Sequence, residues 1–180
     1  MRLSELSLSE YNPFYHTYIQ TLGEVSLMEE LENGKSILLS LMDNISEDKL
    51  SFAYGAGKWT LAEVLLHIVD TERIFQYRAL RFARNDTTDL PGFDQDAYVP
   101  YSNASGRTIK DLAEEYAAVR NATLMLFKSF GDEALKRKGV ASGSPMSVRA
   151  LGFIISGHQA HHLRIIKERY LDQPNSSSLS

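Results

Sequence analysis

The chain has 180 residues, 43% hydrophobic and 23% charged, with a formal net charge of −4 and no cysteine. This is the balance of a globular domain long enough to bury a sizeable core, and its acidic excess argues against broad electrostatic binding to nucleic acid or an anionic membrane. Without thiols there is no disulfide, no cysteine nucleophile and no cysteine-ligated zinc.

Helical periodicity dominates the chain, and no segment shows the sustained alternation of a half-buried strand. A short helix is expected around Pro13 to Leu22, with Pro13 acceptable in a first turn. The first long helix spans about Ser26 to Asn44, with Leu27, Leu31, Leu38 and Leu41 three, four or seven apart. The second starts near Thr60 in KWTLAEVLLHIVDTERIFQYRALRFARND, where Thr60 and Glu63 have the spacing of a capping box. Next comes a connection of roughly 20 residues, NDTTDLPGFDQDAYVPYSNASGR, long for a bundle and therefore a crossover or a functional segment. Its Phe93, Tyr98 and Tyr101 suggest packing against the bundle. The third long helix opens at Thr108, and the fourth runs from near Ser147 to about Leu171.

The prediction is one domain over 1–171, an all-α four-helix bundle with a long crossover connection between helices 2 and 3. The polar, Ser-rich end, 172–180, is expected to be a flexible C-terminal tail. No apolar run approaches the roughly 20 residues of a membrane span. The opening MRLSELSLSEYNPF lacks the apolar centre of a secretory signal, so a cytoplasmic location is expected.

Three of five histidines fall within GHQAHHLRII, residues 157–166. A helix turns about 100° per residue. Relative to His158, Leu151 lies at about +20°, Ile165 at about −20° and His162 at about +40°, all in the apolar stripe. His161 falls at about −60°, on the polar flank beside Arg164 and Glu168. His158 and His162 therefore point inward one turn apart. Two buried imidazoles need partners at every ring nitrogen: neighbouring side chains or carbonyls would serve, and so would one metal ion on which both converge. His67 borders the apolar stripe of the second helix, and a facing helix would bring it to the pair, completing a site in the bundle core. His16 carries no comparable argument.

Carboxylates accompany His67. Asp70 and Glu63 flank it and could orient its ring as acceptors. Glu72 points to a side that should be buried, where it would pair with one of Arg73, Arg78, Arg81 or Arg84. The residue after His158 is Gln159, which cannot act as the general base of an HExxH protease, and that chemistry is excluded.

GKWTLAEVLLHIVDTERIFQYRALRFARND, LPGFDQDAYV and SVRALGFIISGHQAHHLRIIKERYL together resemble the DinB/YfiT-like superfamily, from about Tyr11 to Leu171. The resemblance implies a four-helix bundle with a metal-binding triad, which falls on His67, His158 and His162. His161 matches a histidine frequent in the family but outside the triad. Related proteins include S-transferases using low-molecular-weight thiols such as bacillithiol or mycothiol, a mycothiol-dependent maleylpyruvate isomerase, and others labelled metal-dependent hydrolases. Family members are commonly homodimers, and the first helix with Tyr11, Phe14, Tyr15 and Tyr18 would supply such a face, or else cover one end of the core.

The first functional expectation is a metal-dependent transferase of a low-molecular-weight thiol to small electrophiles. Three neutral nitrogens leave a position at which a thiol would bind as thiolate, and the cosubstrate would bring the nucleophile this chain lacks. The second is a metal-dependent hydrolase activating water, with Asp94 or Asp96 of the crossover as candidate base. The third is a non-enzymatic metal-binding, stress-associated protein. The cofactor would be a divalent transition metal, Zn, Ni or Fe(II). The expected partner is a small molecule rather than nucleic acid or membrane.

Overall fold

The computed structural model describes residues 1–172. The tail expected over 172–180 lies, beyond Asp172, outside the described residues. Short 3-10 turns lead into α1 (His16–Gln20), followed by α2 (Leu27–Met42) and α3 (Leu61–Ala83). The crossover contains α4 (Gln95–Tyr98), and α5 (Ile109–Lys128) and α6 (Asp132–Lys136) follow. A hairpin of β1 (Lys138–Ala141) and β2 (Ser144–Ser147) precedes α7 (Val148–Ile165), which continues as a π-helical turn over Ile166–Leu171. The four long helices are α2, α3, α5 and α7, and the all-α bundle with a crossover between its second and third long helices is the observed architecture.

Caps set the helix starts. Thr60 and Glu63 form the reciprocal box at α3, Glu63 Oε2 accepting from the Thr60 amide at 2.6 Å. Thr108 and Asp111 repeat it at α5, and Ser147 accepts from the Ala150 amide at α7. The N-terminal segment is fastened to α7 by Arg149, whose Nε and Nη2 donate to the two oxygens of Glu10 at 2.6 Å each.

The hairpin corrects the expectation that no strand would form. Its strands have four residues each, rich in Gly, Ser and Pro, too short to show alternation. The turn supplies the signal instead: Ser142 and Gly143 both take positive φ, 53° and 72°, the conformation of a tight hairpin turn. Leu90 of the crossover pairs with the hairpin, its amide donating to Val140 O and its carbonyl accepting from the Ser142 amide, both at 3.0 Å. The crossover is thereby tied down, but its aromatics differ: Phe93 is half-buried, whereas Tyr101 is 89% exposed. In the turns after α4 that ring faces outward, and Ala104 is the buried residue.

Two apolar clusters fill the bundle. One holds Leu27, Leu31, Phe75, Phe82, Phe127 and Leu151, and the other Leu38, Leu61, Leu65, Leu112, Leu163 and Ile166. A polar layer separates them, with Gly34, Glu72, Arg120 and Gln159 supplied by α2, α3, α5 and α7 respectively. Arg120 binds Glu72 through Nε and Nη2 at 2.7 and 2.8 Å, and also donates to Leu31 O and Gln159 Oε1. Gln159 donates to Gly34 O at 2.7 Å and accepts from Tyr116. Glu72 is thus buried and paired, but with Arg120 rather than an arginine of its own helix. Arg73 lies on the outer face, bound to Glu115 and Asp70, and Arg81 pairs with Asp86. No helix among the described residues is long and apolar enough to cross a membrane.

Candidate functional site

The seam between α3 and α7 brings His67, His158 and His162 together. His67 and His158 are buried and His162 is half-buried. The Nε2 of His158 lies 3.0 Å from that of His67 and 3.1 Å from that of His162. The four-residue step between His158 and His162 aligns their rings, and α3 contributes His67 from across the seam, as the facing argument requires.

Burial lowers the basicity of all three rings. It pulls His67 down to about 4, partly opposed by the charge of Asp96. It takes His162 to about 3 and His158 well below its usual value, with the neighbouring histidines adding repulsion. The site is therefore three neutral imidazoles at neutral pH. A neutral ring nitrogen offers either one hydrogen or one lone pair, so His158 Nε2 cannot make good hydrogen bonds to both neighbours. A divalent transition metal would use all three lone pairs. Ligand atoms about 2.0–2.1 Å from one ion in a tetrahedral set lie roughly 3.3 Å apart, close to the 3.0 and 3.1 Å between His158 and its two neighbours, and all three lie within 4.8 Å of one another. The donor set fits such a metal.

Around the cluster, Thr71 Oγ1 faces His67 Nδ1 at 3.4 Å. The acceptors expected for that ring are engaged elsewhere. Glu63 caps α3, and Asp70 binds Arg73 on the outer face. Both line a small cavity on His67 without bonding its ring, while Thr71, one turn beyond His67, stays beside Nδ1. His162 Nδ1 is buried and has no partner among the described residues. Trp59 packs edge-on against His67, and Tyr18 of α1 packs against His158 and His161 at centroid distances of 5.8 and 4.9 Å. His161 lies outside the triad and is half-buried. His16 instead takes a hydrogen-bonding contact with Tyr11 at 3.0 Å.

Gly157 is the residue the sequence reading passed over. A Cβ there would stand 2.5 Å from Tyr18 O, so only glycine lets the α1 backbone lie against α7 and carry Tyr18 over the histidines. Its position directly before the first histidine was visible in the sequence, but the approach of α1 was not.

Three cavities reach the cluster: a small one of about 310 Å³ on His67, beside Glu63, Asp70 and Phe93, and two larger grooves. One, of about 900 Å³, ends on His158 between Phe14, Tyr15, Tyr18, Phe75 and Phe93. The other, of about 620 Å³, ends on His162 between Trp59, Tyr54, Tyr170 and Asp96. Of the aromatics proposed as a dimer face, Tyr11 is buried, Tyr15 and Tyr18 wall the first groove, and Phe14 is 67% exposed at its edge. Asp94 lines the first groove, but its carboxylate accepts from the Asp96 and Ala97 amides and caps α4. Asp96 is exposed in the second groove.

Fold and cluster define a four-helix-bundle protein with a buried three-histidine site on the seam of its second and fourth long helices. The sequence model of the DinB superfamily matches residues 30–166, and the chain belongs to that superfamily. A protein of Oceanobacillus iheyensis named "Putative metal-dependent hydrolase" is 24% identical over 144 residues, which cover 78% of this chain and 81% of the relative. Among solved structures, YfiT from Bacillus subtilis, described as a probable metal-dependent hydrolase with an unusual four-helix bundle topology, superposes with a TM-score of 0.70. The match has 17% identity over 89% of this chain and 92% of YfiT. The DinB-like protein YjoA from Bacillus subtilis gives a TM-score of 0.55 at 17% identity, covering 82% and 94%. These superpositions establish the shared fold.

Proposed function

We propose that this protein is a metal-dependent enzyme that joins a low-molecular-weight thiol to a small electrophile, with His67, His158 and His162 holding the metal. The observation that carries the two-substrate reading is that the two larger grooves at the triad are lined by different histidines, one by His158 and the other by His162. A bound divalent ion, Zn, Ni or Fe(II), would supply Lewis acidity that favours the anionic form of a ligand at its remaining position. The chain's own residues prepare that position. Thr71 orients the His67 ring, burial keeps all three rings neutral and able to donate lone pairs, and Trp59 and Tyr18 shield them from bulk water. The lack of cysteine fits a nucleophile brought in as cosubstrate.

A second reading, metal-dependent hydrolysis, has support in the names of the Oceanobacillus relative and of YfiT. It needs a base near the reacting water, and Asp96 is the carboxylate available in the His162 groove. Elemental analysis of wild type, His67→Ala and His158→Ala, followed by activity assays, tests both. About one metal equivalent in wild type, lost in each variant, with electrophile consumption that requires added thiol, is the expected result. Ester or amide cleavage without thiol would replace the first reading with the second, and wild type that takes up no supplied Zn, Ni or Fe(II) would end both.

A further inference from the structure

The groove that ends on His162 is lined by one charge of each sign, Lys58 and Asp96. Among the described residues neither side chain pairs with the other or with any third residue, whereas Lys110, Lys128 and Lys136 pair with Glu114, Glu32 and Glu133. Their backbones are fixed. Lys58 closes a turn, its amide donating to Gly55 O at 3.2 Å, and the stem of its side chain lies over that glycine. Asp96 sits in the first turn of α4, its amide donating to Asp94 Oδ1 at 2.9 Å. Both side chains are exposed, so the ammonium and the carboxylate meet water and no protein partner.

The other two cavities on the histidines differ in kind. Among the described residues Lys58 is the one lysine or arginine lining any of the three. The small cavity on His67 has two carboxylates, Glu63 and Asp70, both engaged elsewhere. The groove on His158 is walled by aromatic rings, and its Asp94 already accepts from two amides of α4. In the His162 groove Asp96 stands near the triad, since its charge is felt at His67. Trp59, Tyr54 and Tyr170 share that groove with the two charges. Opposite charges held apart in one groove match a ligand that carries both, and each contact gains strength where rings displace water.

We infer that the groove on His162 binds the head of a free amino acid, its ammonium on Asp96 and its carboxylate on Lys58, so that the thiol entering it is of the cysteine type. In such a thiol both charged groups sit on the carbon next to the one that bears sulfur. Holding both therefore leaves the sulfur one orientation, toward the histidines at the end of the groove. The electrophile is left to the groove on His158, whose aromatic walls and lack of any lining cation suit an uncharged body. Asp96, which hydrolysis would use as a base, here accepts from the ammonium. This assignment names the thiol of the proposed two-substrate reaction and rests on that reading.

Trp59 is the single tryptophan of the chain and lines this groove, so its fluorescence reads the site directly. The probes are S-methyl-L-cysteine, which has both charges, methylthioethylamine, which lacks the carboxylate, and methylthiopropanoate, which lacks the ammonium. Each is titrated into the full-length protein as purified and again after EDTA treatment. The zwitterion should change Trp59 emission saturably and bind about tenfold tighter than either analogue, the scale of one lost charged hydrogen bond. Lys58→Met should erase the preference over the amine and keep that over the propanoate, and Asp96→Asn should do the reverse. Both residues are exposed, so these variants leave the core intact. Equal affinity for the three probes, no saturable response to the zwitterion, or preferences that survive both substitutions would overturn the assignment. So would a variant that weakens all three probes alike, because its residue would then shape the groove without reading a charge. A thioether cannot become a thiolate, so the preferences should persist after EDTA. Metal content is measured separately, and failure here is thereby distinguishable from failure of the metal-site proposal.

Discussion

At His158, two neighbouring Nε2 atoms crowd one ring nitrogen, and a shared proton can satisfy only one of them. Without metal, the cluster therefore has a definite pH liability. Burial holds the folded-state values near 4 for His67 and 3 for His162, below the usual value of 6.5. The unfolded chain takes up protons as pH falls through 6.5, while the folded chain resists until far lower. The histidines' contribution is therefore intact above 6.5 and is lost as pH falls from 6.5 toward those values. The loss per group is about 1.4 kcal/mol per pH unit. Urea midpoints of metal-free protein at pH 7.5, 6 and 5 should fall steadily, and His67→Leu should make the decline shallower. A midpoint unchanged down to pH 5 would contradict the buried neutral rings. The inward direction of these side chains could be read from spacing alone, because i,i+4 on an apolar stripe is a local property. The partner of His67 could not. Thr71 shares its face one turn away, and choosing between a short hydroxyl and two longer carboxylates depends on where each side chain goes in space.

Between elements, α1 has five residues and could not hold its place by helix propensity. It is held by packing on α7 and by the nearby Glu10–Arg149 pair. Gly157 is the contact point, since a Cβ would press on Tyr18 O at 2.5 Å and Tyr18 C at 2.7 Å, both backbone atoms with little room to yield. Gly157→Ala should therefore push α1 away and withdraw Tyr18 from His158 and His161, at a cost of about 1–3 kcal/mol, typical of overpacking. Calorimetry would show the lower Tm, and the metal-loaded variant should release its ion to EDTA faster than wild type. Unchanged Tm and release would mean that α1 does not cover the site. Element boundaries set by caps at Thr60, Thr108 and Ser147 were open to sequence reading because the signal is a residue type at fixed spacing. The hairpin escaped because its turn residues, Ser142 and Gly143, sit between strands too short to carry a period.

Across the whole molecule, periodicity revealed four long amphipathic helices and a long crossover, which suffices for a bundle but does not say which residue meets which. Glue for the bundle comes from a layer that no single helix discloses. Glu72, Arg120, Gln159 and Gly34 each sit at a gap in an apolar stripe, and only assembly brings the gaps to one level. Glu72 directly follows Thr71, and Gln159 directly follows His158, so the layer also fixes the rotation of α3 and α7 about their axes and with it the facing of the triad. Gln159, which excluded protease chemistry, is accounted for by this structural role. Removing one member of a fully buried ion pair leaves the other charge stranded, at about 3–5 kcal/mol. Arg120→Met and Glu72→Leu alone should each cost that much by urea denaturation. The double variant should cost less than the sum, because neither charge is then left unpaired. Metal affinity separates stability from positioning. If the layer sets the facing of His67 and His158, the double variant will refold but bind metal more weakly than wild type. Wild-type affinity in a stable double variant would show that the seam alone orients the histidines.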